Sequence, residues 1–119
     1  MAILSSHLLN SSTGEHAAFV KISIFKIDES KKPTKVKETN TDAGGRMQQE
    51  LEINNKDKLC EYEMVIATEN YFKNQNSQDW KKRIISDIVI RFKMEENDKK
   101  YHIPIIISPI TSLSFISFS

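Results

Sequence analysis

Phe19-Val20-Lys21-Ile22-Ser23-Ile24-Phe25-Lys26-Ile27 alternates β-branched and polar residues. That is the period of a strand with one face buried and one face wet. Working outward, Tyr62-Glu63-Met64-Val65-Ile66-Ala67 and Ile88-Val89-Ile90-Arg91-Phe92-Lys93 read the same way. The run from Ile103 to Ile107 is apolar throughout and begins at a Pro-containing end. It predicts a strand buried on both faces or lying at a subunit contact. Turn signals separate these runs: Ser11 to Gly14, Asp28 to Pro33, Asp42 to Gly45, Asn54 to Lys58 and Glu95 to Lys100. Short strands at this spacing, with almost no helical periodicity, predict an all-β chain folded as an antiparallel sandwich.

One segment departs from the pattern. Residues 68 to 82 are polar, carry Tyr71, Phe72 and Trp80, and predict a short helix N-capped by Thr68 with Glu69 beside it. Tyr71 and Trp80 read as core or helix-face residues. The basic clusters Lys31 to Lys37 and Lys81 to Arg83 have no interleaved aromatics and read as solvated loops.

The 119 residues suffice for one domain, 1–119, with a single core. Seventeen basic against sixteen acidic side chains leave a net charge of +1. No footprint for nucleic acid or an acidic membrane follows from that balance. The lone cysteine, Cys60, forms no intrachain disulfide and reads as a small core filler. No apolar run approaches the roughly 20 residues that span a bilayer. Met1-Ala2-Ile3-Leu4 lacks the basic and apolar regions of a signal peptide, and Phe118-Ser119 is not a Ser-Lys-Leu ending. The expected compartment is the cytoplasm, with the peroxisome as the alternative.

The chemistry is concentrated in three places. Tyr101-His102-Ile103-Pro104 opens the apolar run, His7 sits in Ser6-His7-Leu8-Leu9-Asn10, and Arg46 closes Thr41-Asp42-Ala43-Gly44-Gly45-Arg46. These segments, with Ser12-Thr13-Gly14, Ala17-Ala18, Tyr62-Glu63-Met64-Val65 and Ile88 to Phe92, resemble in order and wording the transthyretin-like family. Within it they resemble the 5-hydroxyisourate hydrolase branch, because His7, Arg46 and His102 are all present, a set the hormone carrier lacks. The resemblance implies an antiparallel β-sandwich of about eight strands with one short helix, assembled as a homotetramer with sites where two dimers meet. It implies hydrolysis of 5-hydroxyisourate to 2-oxo-4-hydroxy-4-carboxy-5-ureidoimidazoline in urate degradation, without metal or cofactor.

These residue types suit that reaction. An imidazole titrates near neutral pH, so His7 or His102 can take a proton from water and return one to the leaving nitrogen. Arg46 offers a rigid donor fork to a ring carbonyl and to the oxyanion formed as water adds. By the resemblance His7 and Arg46 also bind substrate. His16 stands where the family often has proline and reads as a solvent residue.

The family's hydrolases end in Tyr-Arg-Gly-Ser, and here the corresponding stretch is Phe115-Ile116-Ser117-Phe118. Phe115 keeps a ring for substrate binding but loses the hydroxyl, and Ile116 removes a cation. The alternation slips there, which predicts a bulge or fray in the last strand. Two other classes are therefore weighed beside the hydrolase: a non-catalytic relative that binds a small ligand in the same channel, and a purely structural sandwich.

Overall fold

The computed structural model describes residues 1–75 and 86–109, and the backbone of Phe115–Ile116. Its strands are β1 (Ala2–Asn10), β2 (Lys21–Ile27), β3 (Pro33–Asn40), β4 (Arg46–Leu51), β5 (Glu61–Ile66), β6 (Ile88–Phe92), β7 (Lys100–Ile107) and β8 (Phe115–Ile116). Helix α1 (Thr68–Asn74) follows β5, and a 3₁₀ turn (Asn55–Leu59) follows β4. Two four-stranded sheets result, ordered β4-β1-β7-β8 and β3-β2-β5-β6. Ladders are antiparallel except β1 against β7, which run parallel. Parallel neighbours cannot be joined by a hairpin, and here the whole second sheet lies between them in sequence.

Period-two patterning explains the core. Leu4 and Leu8 of β1, Ile22 and Ile24 of β2, Met64 and Ile66 of β5, and Ile105 and Ile107 of β7 are all buried in one cluster. Each such side chain contributes about 1.5–3 kcal/mol when taken fully out of water. Tyr71 and Phe72 of α1 join the cluster, their rings meeting edge-on with centroids 4.9 Å apart. Buried polar groups are satisfied: Ser6 Oγ donates to the Ile103 carbonyl at 2.6 Å, and Thr41 Oγ1 donates to the Ala17 carbonyl at 2.8 Å. Cys60 is buried, which raises its thiol pKa and suits the filler reading.

Four expectations need correction. The second strand starts at Lys21, because Phe19 takes φ 58° and is 72% exposed. Lys35 and Lys37 lie on edge strand β3 and not in a loop; lysines pointing to solvent along an unpaired edge discourage intermolecular pairing. Strand β7 is buried on one face only, which overturns burial on both faces and leaves the subunit-contact alternative: Ile103, Ile105 and Ile107 point inward, while Pro104 and Ile106 are half-exposed. Ala67, not Thr68, is the N-cap of α1; the Thr68 hydroxyl instead donates to the Ser86 carbonyl at 2.9 Å. Trp80 and Lys81 to Arg83 lie outside the described residues, as do the side chains of Phe115 and Ile116. Among the described residues no helix is long and apolar enough to cross a membrane.

Candidate active site

Strand β1 is central to its sheet, and its alternate residues Ile3, Ser5, His7 and Leu9 are half-exposed on the face opposite the core. The neighbouring strands complete cross-strand rows on that face. One row is Arg46, His7 and Pro104; the next is Gln48, Ser5 and His102. Directly opposed residues stand about 5 Å apart at Cβ, so register alone brings Arg46 beside His7 and His102 one row away. Beyond them Leu9 pairs with Ile106, which pairs in turn with Phe115 at the backbone level.

A tight turn sets the position of Arg46. Asp42 Oδ1 accepts from the backbone N–H groups of Gly44 and Arg46, each at 2.9 Å. The Arg46 amide foremost, helped by the Gly44 amide, holds the Asp42 carboxyl below the usual carboxylate range, against an opposing push from burial that ranks between the two. Gly45 has φ +74°, and a Cβ there would lie 2.6 Å from the Leu8 carbonyl oxygen. Its own carbonyl accepts from Leu8 N–H at 2.8 Å, seating the turn against β1. Glycine is required at that close approach.

Each imidazole has a partner that the linear reading missed. Ser5 Oγ lies 2.8 Å from His102 Nδ1, so the hydroxyl engages that nitrogen of the ring and not Nε2. His16 is exposed, as expected of a solvent residue, yet its Nδ1 lies 2.8 Å from His7 Nε2. The hairpin after β1 brings it there. Asn10 Oδ1 accepts from Ser12 at the start of the turn, and the chain returns so that His16 bridges Leu9. Burial, then Arg46 and His16, holds His7 below the ordinary histidine value of 6.5 against the Gly44 backbone, which favours the neutral ring. The only sequence signals for these partners were strand parity for Ser5 and the turn length for His16.

Arg46 and His102 line one open hollow of about 450 Å³ with Ser5, Gln48, Met47, Ile3, Ser6, Asp42 and Lys100. His7 borders it one row along. The hollow is thus faced by one imidazole and one guanidinium, with the second imidazole, His7, in the neighbouring cross-strand row beside Arg46. A second cleft, of about 610 Å³, lies between the 28–30 turn and the 3₁₀ turn. Its buried carboxylate Asp57 already accepts from Lys26 Nζ at 2.8 Å and from Asn54 N–H at 3.0 Å, so it is a structural ion pair.

The family model described as HIUase/Transthyretin matches residues 4–115. The chain belongs to that family. A 5-hydroxyisourate hydrolase of Mesorhizobium japonicum is 33% identical over 106 residues, covering 89% of this chain and 84% of the relative. Among solved structures, transthyretin from Sparus aurata superposes with a TM-score of 0.77 at 19% identity, covering 98% of this chain and 97% of that one. The 5-hydroxyisourate hydrolase of Klebsiella pneumoniae gives 0.71 at 21% identity, covering 98% and 99%. Both structural likenesses bear on the fold, a mainly β, transthyretin-like sandwich with one α-helix among the described residues.

Proposed function

We propose that this protein is a 5-hydroxyisourate hydrolase of urate degradation, with His7, Arg46 and His102 as its catalytic residues. The observation that carries the reading is the shared outer face: Arg46 and His7 in register, and His102 one row away, held at Nδ1 by Ser5 and lining the hollow with Arg46. The name borne by the Mesorhizobium relative supports it.

In this mechanism the Arg46 fork binds the ring carbonyl of the substrate. One imidazole accepts a proton as water adds, forming a C–O bond and an oxyanion that Arg46 stabilises. The oxyanion collapses, the ring C–N bond breaks, and a proton passes to the departing nitrogen. By the family resemblance Phe115 is also a substrate-binding residue, and its backbone pairs with Ile106 at the end of the row that contains Leu9.

The half-exposed apolar residues Ile3, Leu9, Pro104 and Ile106 beside the polar rows support a homotetramer that covers this face and turns the open hollow into a channel. A cytoplasmic setting belongs to the same reading, the peroxisome being the alternative. One observation favours a second reading, a non-catalytic carrier of a small ligand: Ile116 stands where the hydrolases have arginine.

The test is the ultraviolet decay of freshly generated 5-hydroxyisourate, with native protein and with H7A, R46A and H102A. Acceleration that collapses in all three variants is expected. Decay at the spontaneous rate in the presence of folded native protein rejects the enzyme and leaves the carrier.

A further inference from the structure

All three histidines of the chain, His7, His16 and His102, lie on or at the margin of the same outer face. His102 is held by a hydroxyl, but His7 is held by another imidazole. The two rings meet at 2.8 Å from Nε2 to Nδ1, with centroids 4.8 Å apart and planes inclined by 30°. At that distance and in neutral form, the contact requires one proton between two nitrogens. His16 is carried on a fixed arm: its neighbour Glu15 accepts from Asn10 N–H at its carbonyl, and Ala17 N–H donates to the Leu8 carbonyl at 2.9 Å.

We propose that His16 is a positioning residue for His7, the two imidazoles forming a hydrogen-bonded dyad that shares one proton. The inference rests on the hydrolase reading for its catalytic consequence, though not for its geometry. The dyad fixes the plane of the His7 ring against Arg46 and permits only complementary tautomers in the two rings. When His7 takes a proton, His16 Nδ1 accepts a hydrogen bond from the charged ring and disperses its charge toward solvent. A second proton on the pair is opposed by the first and by Arg46 on β4, with His102 on β7 also facing the pair. The Asp42 carboxylate in the neighbouring turn favours charge. A proline at position 16 offers neither a donor nor an acceptor side chain, so the dyad is a property of this chain's own sequence.

Three histidines make the test direct. In native protein labelled with ¹⁵N-histidine, the His7 ring is expected to titrate in two steps, as a member of a coupled pair does. In H16A, His7 is expected to titrate in a single step; H16N, whose amide can occupy the Nδ1 position, restores the ring's tautomer signature without a second titration. In the decay assay H16A is expected to lose between about 10- and 100-fold in kcat with little change in KM, and H16N to recover part of it. The same His7 curve and tautomer in native protein and H16A overturns the dyad whatever the activity. Coupled titration in a native protein that does not accelerate decay upholds the dyad and rejects the hydrolase reading instead.

Discussion

Ser5 and His102 are register partners on the parallel strands β1 and β7, with Ser5 Oγ 2.8 Å from His102 Nδ1 across 97 residues of sequence. The hydroxyl fixes the orientation of the ring and hence where its other nitrogen points. Replacing Ser5 by Ala is expected to leave the fold intact and to lower kcat about tenfold through misorientation. Loss of the His102 Nδ1 hydrogen-bond signature in a ¹⁵N spectrum of S5A, alongside the rate, checks the cause. An unchanged rate removes Ser5 from the site.

Arg46 is exposed at the lip of the hollow, so its proposed role can be tested without disturbing the core. Arg46→Lys keeps the charge but loses the planar fork. We expect kcat/KM for 5-hydroxyisourate to fall about 10²–10³-fold, the usual cost of a lost donor to an oxyanion, with the melting temperature unchanged. Near-native activity in R46K would mean that charge alone suffices.

Gly45 allows no side chain. In Gly45→Ala the new Cβ meets the Leu8 carbonyl at 2.6 Å with φ already at +74°. A cost of about 2 kcal/mol is expected, seen as a melting temperature lower by roughly 8 °C. Because the turn also sets Arg46, activity should fall before the protein unfolds. Gly14, with φ +74° but open space around it, should tolerate alanine better.

Ile106 is half-exposed on the outer face, in register with Leu9. If that face is covered by a second subunit, Ile106→Glu buries a charge there and should convert the tetramer to smaller species in sedimentation or light scattering. Turnover should fall with it, since the hollow then loses its far wall. A native protein that is already monomeric would contradict the assembly.

Acid should destabilise the fold through two carboxylates. Asp42 is held below its ordinary value first by the Arg46 amide. Asp57 is pushed up by burial, but the Lys26 ammonium and the Asn54 amide outweigh that and hold it down. Both folded values lie under the unfolded one. Their stabilisation is therefore complete above the unfolded carboxylate value of about 3.9 and is lost as pH falls through the folded values. Thermal melts between about pH 2 and 7 should show an acid limb that shrinks in D42N and D57N.

Much of the scaffold was legible because alternation reports which face of a strand is buried. That is why Lys21–Ile27, Glu61–Ile66 and Ile88–Phe92 were anticipated within a residue or two. Edge strands β3 and β4 were not, because Pro33–Asn40 is exposed along almost its whole length and Met47 and Leu51 are the only apolar residues of Arg46–Leu51. Their strand state comes from the neighbour's hydrogen-bonding edge and not from their own side chains. Phe19 was misread because aromatic identity fits a strand, whereas its positive φ depends on the link from its N–H to the Thr41 carbonyl.

By itself, then, the sequence determined a β-sandwich of the transthyretin type, a core of alternating aliphatic residues and an inventory of two imidazoles and a guanidinium. Those are local properties, written in residue type and period. Tertiary structure decided which strands pair and in what register, since backbone hydrogen bonds are alike at every residue and only packing of the whole chain selects among them. Through register it placed Arg46 opposite His7 and Ser5 opposite His102, and through the β1 turn it set His16 against His7. No local pattern contains those juxtapositions, because each depends on pairing or chain reversal that the rest of the fold holds in place.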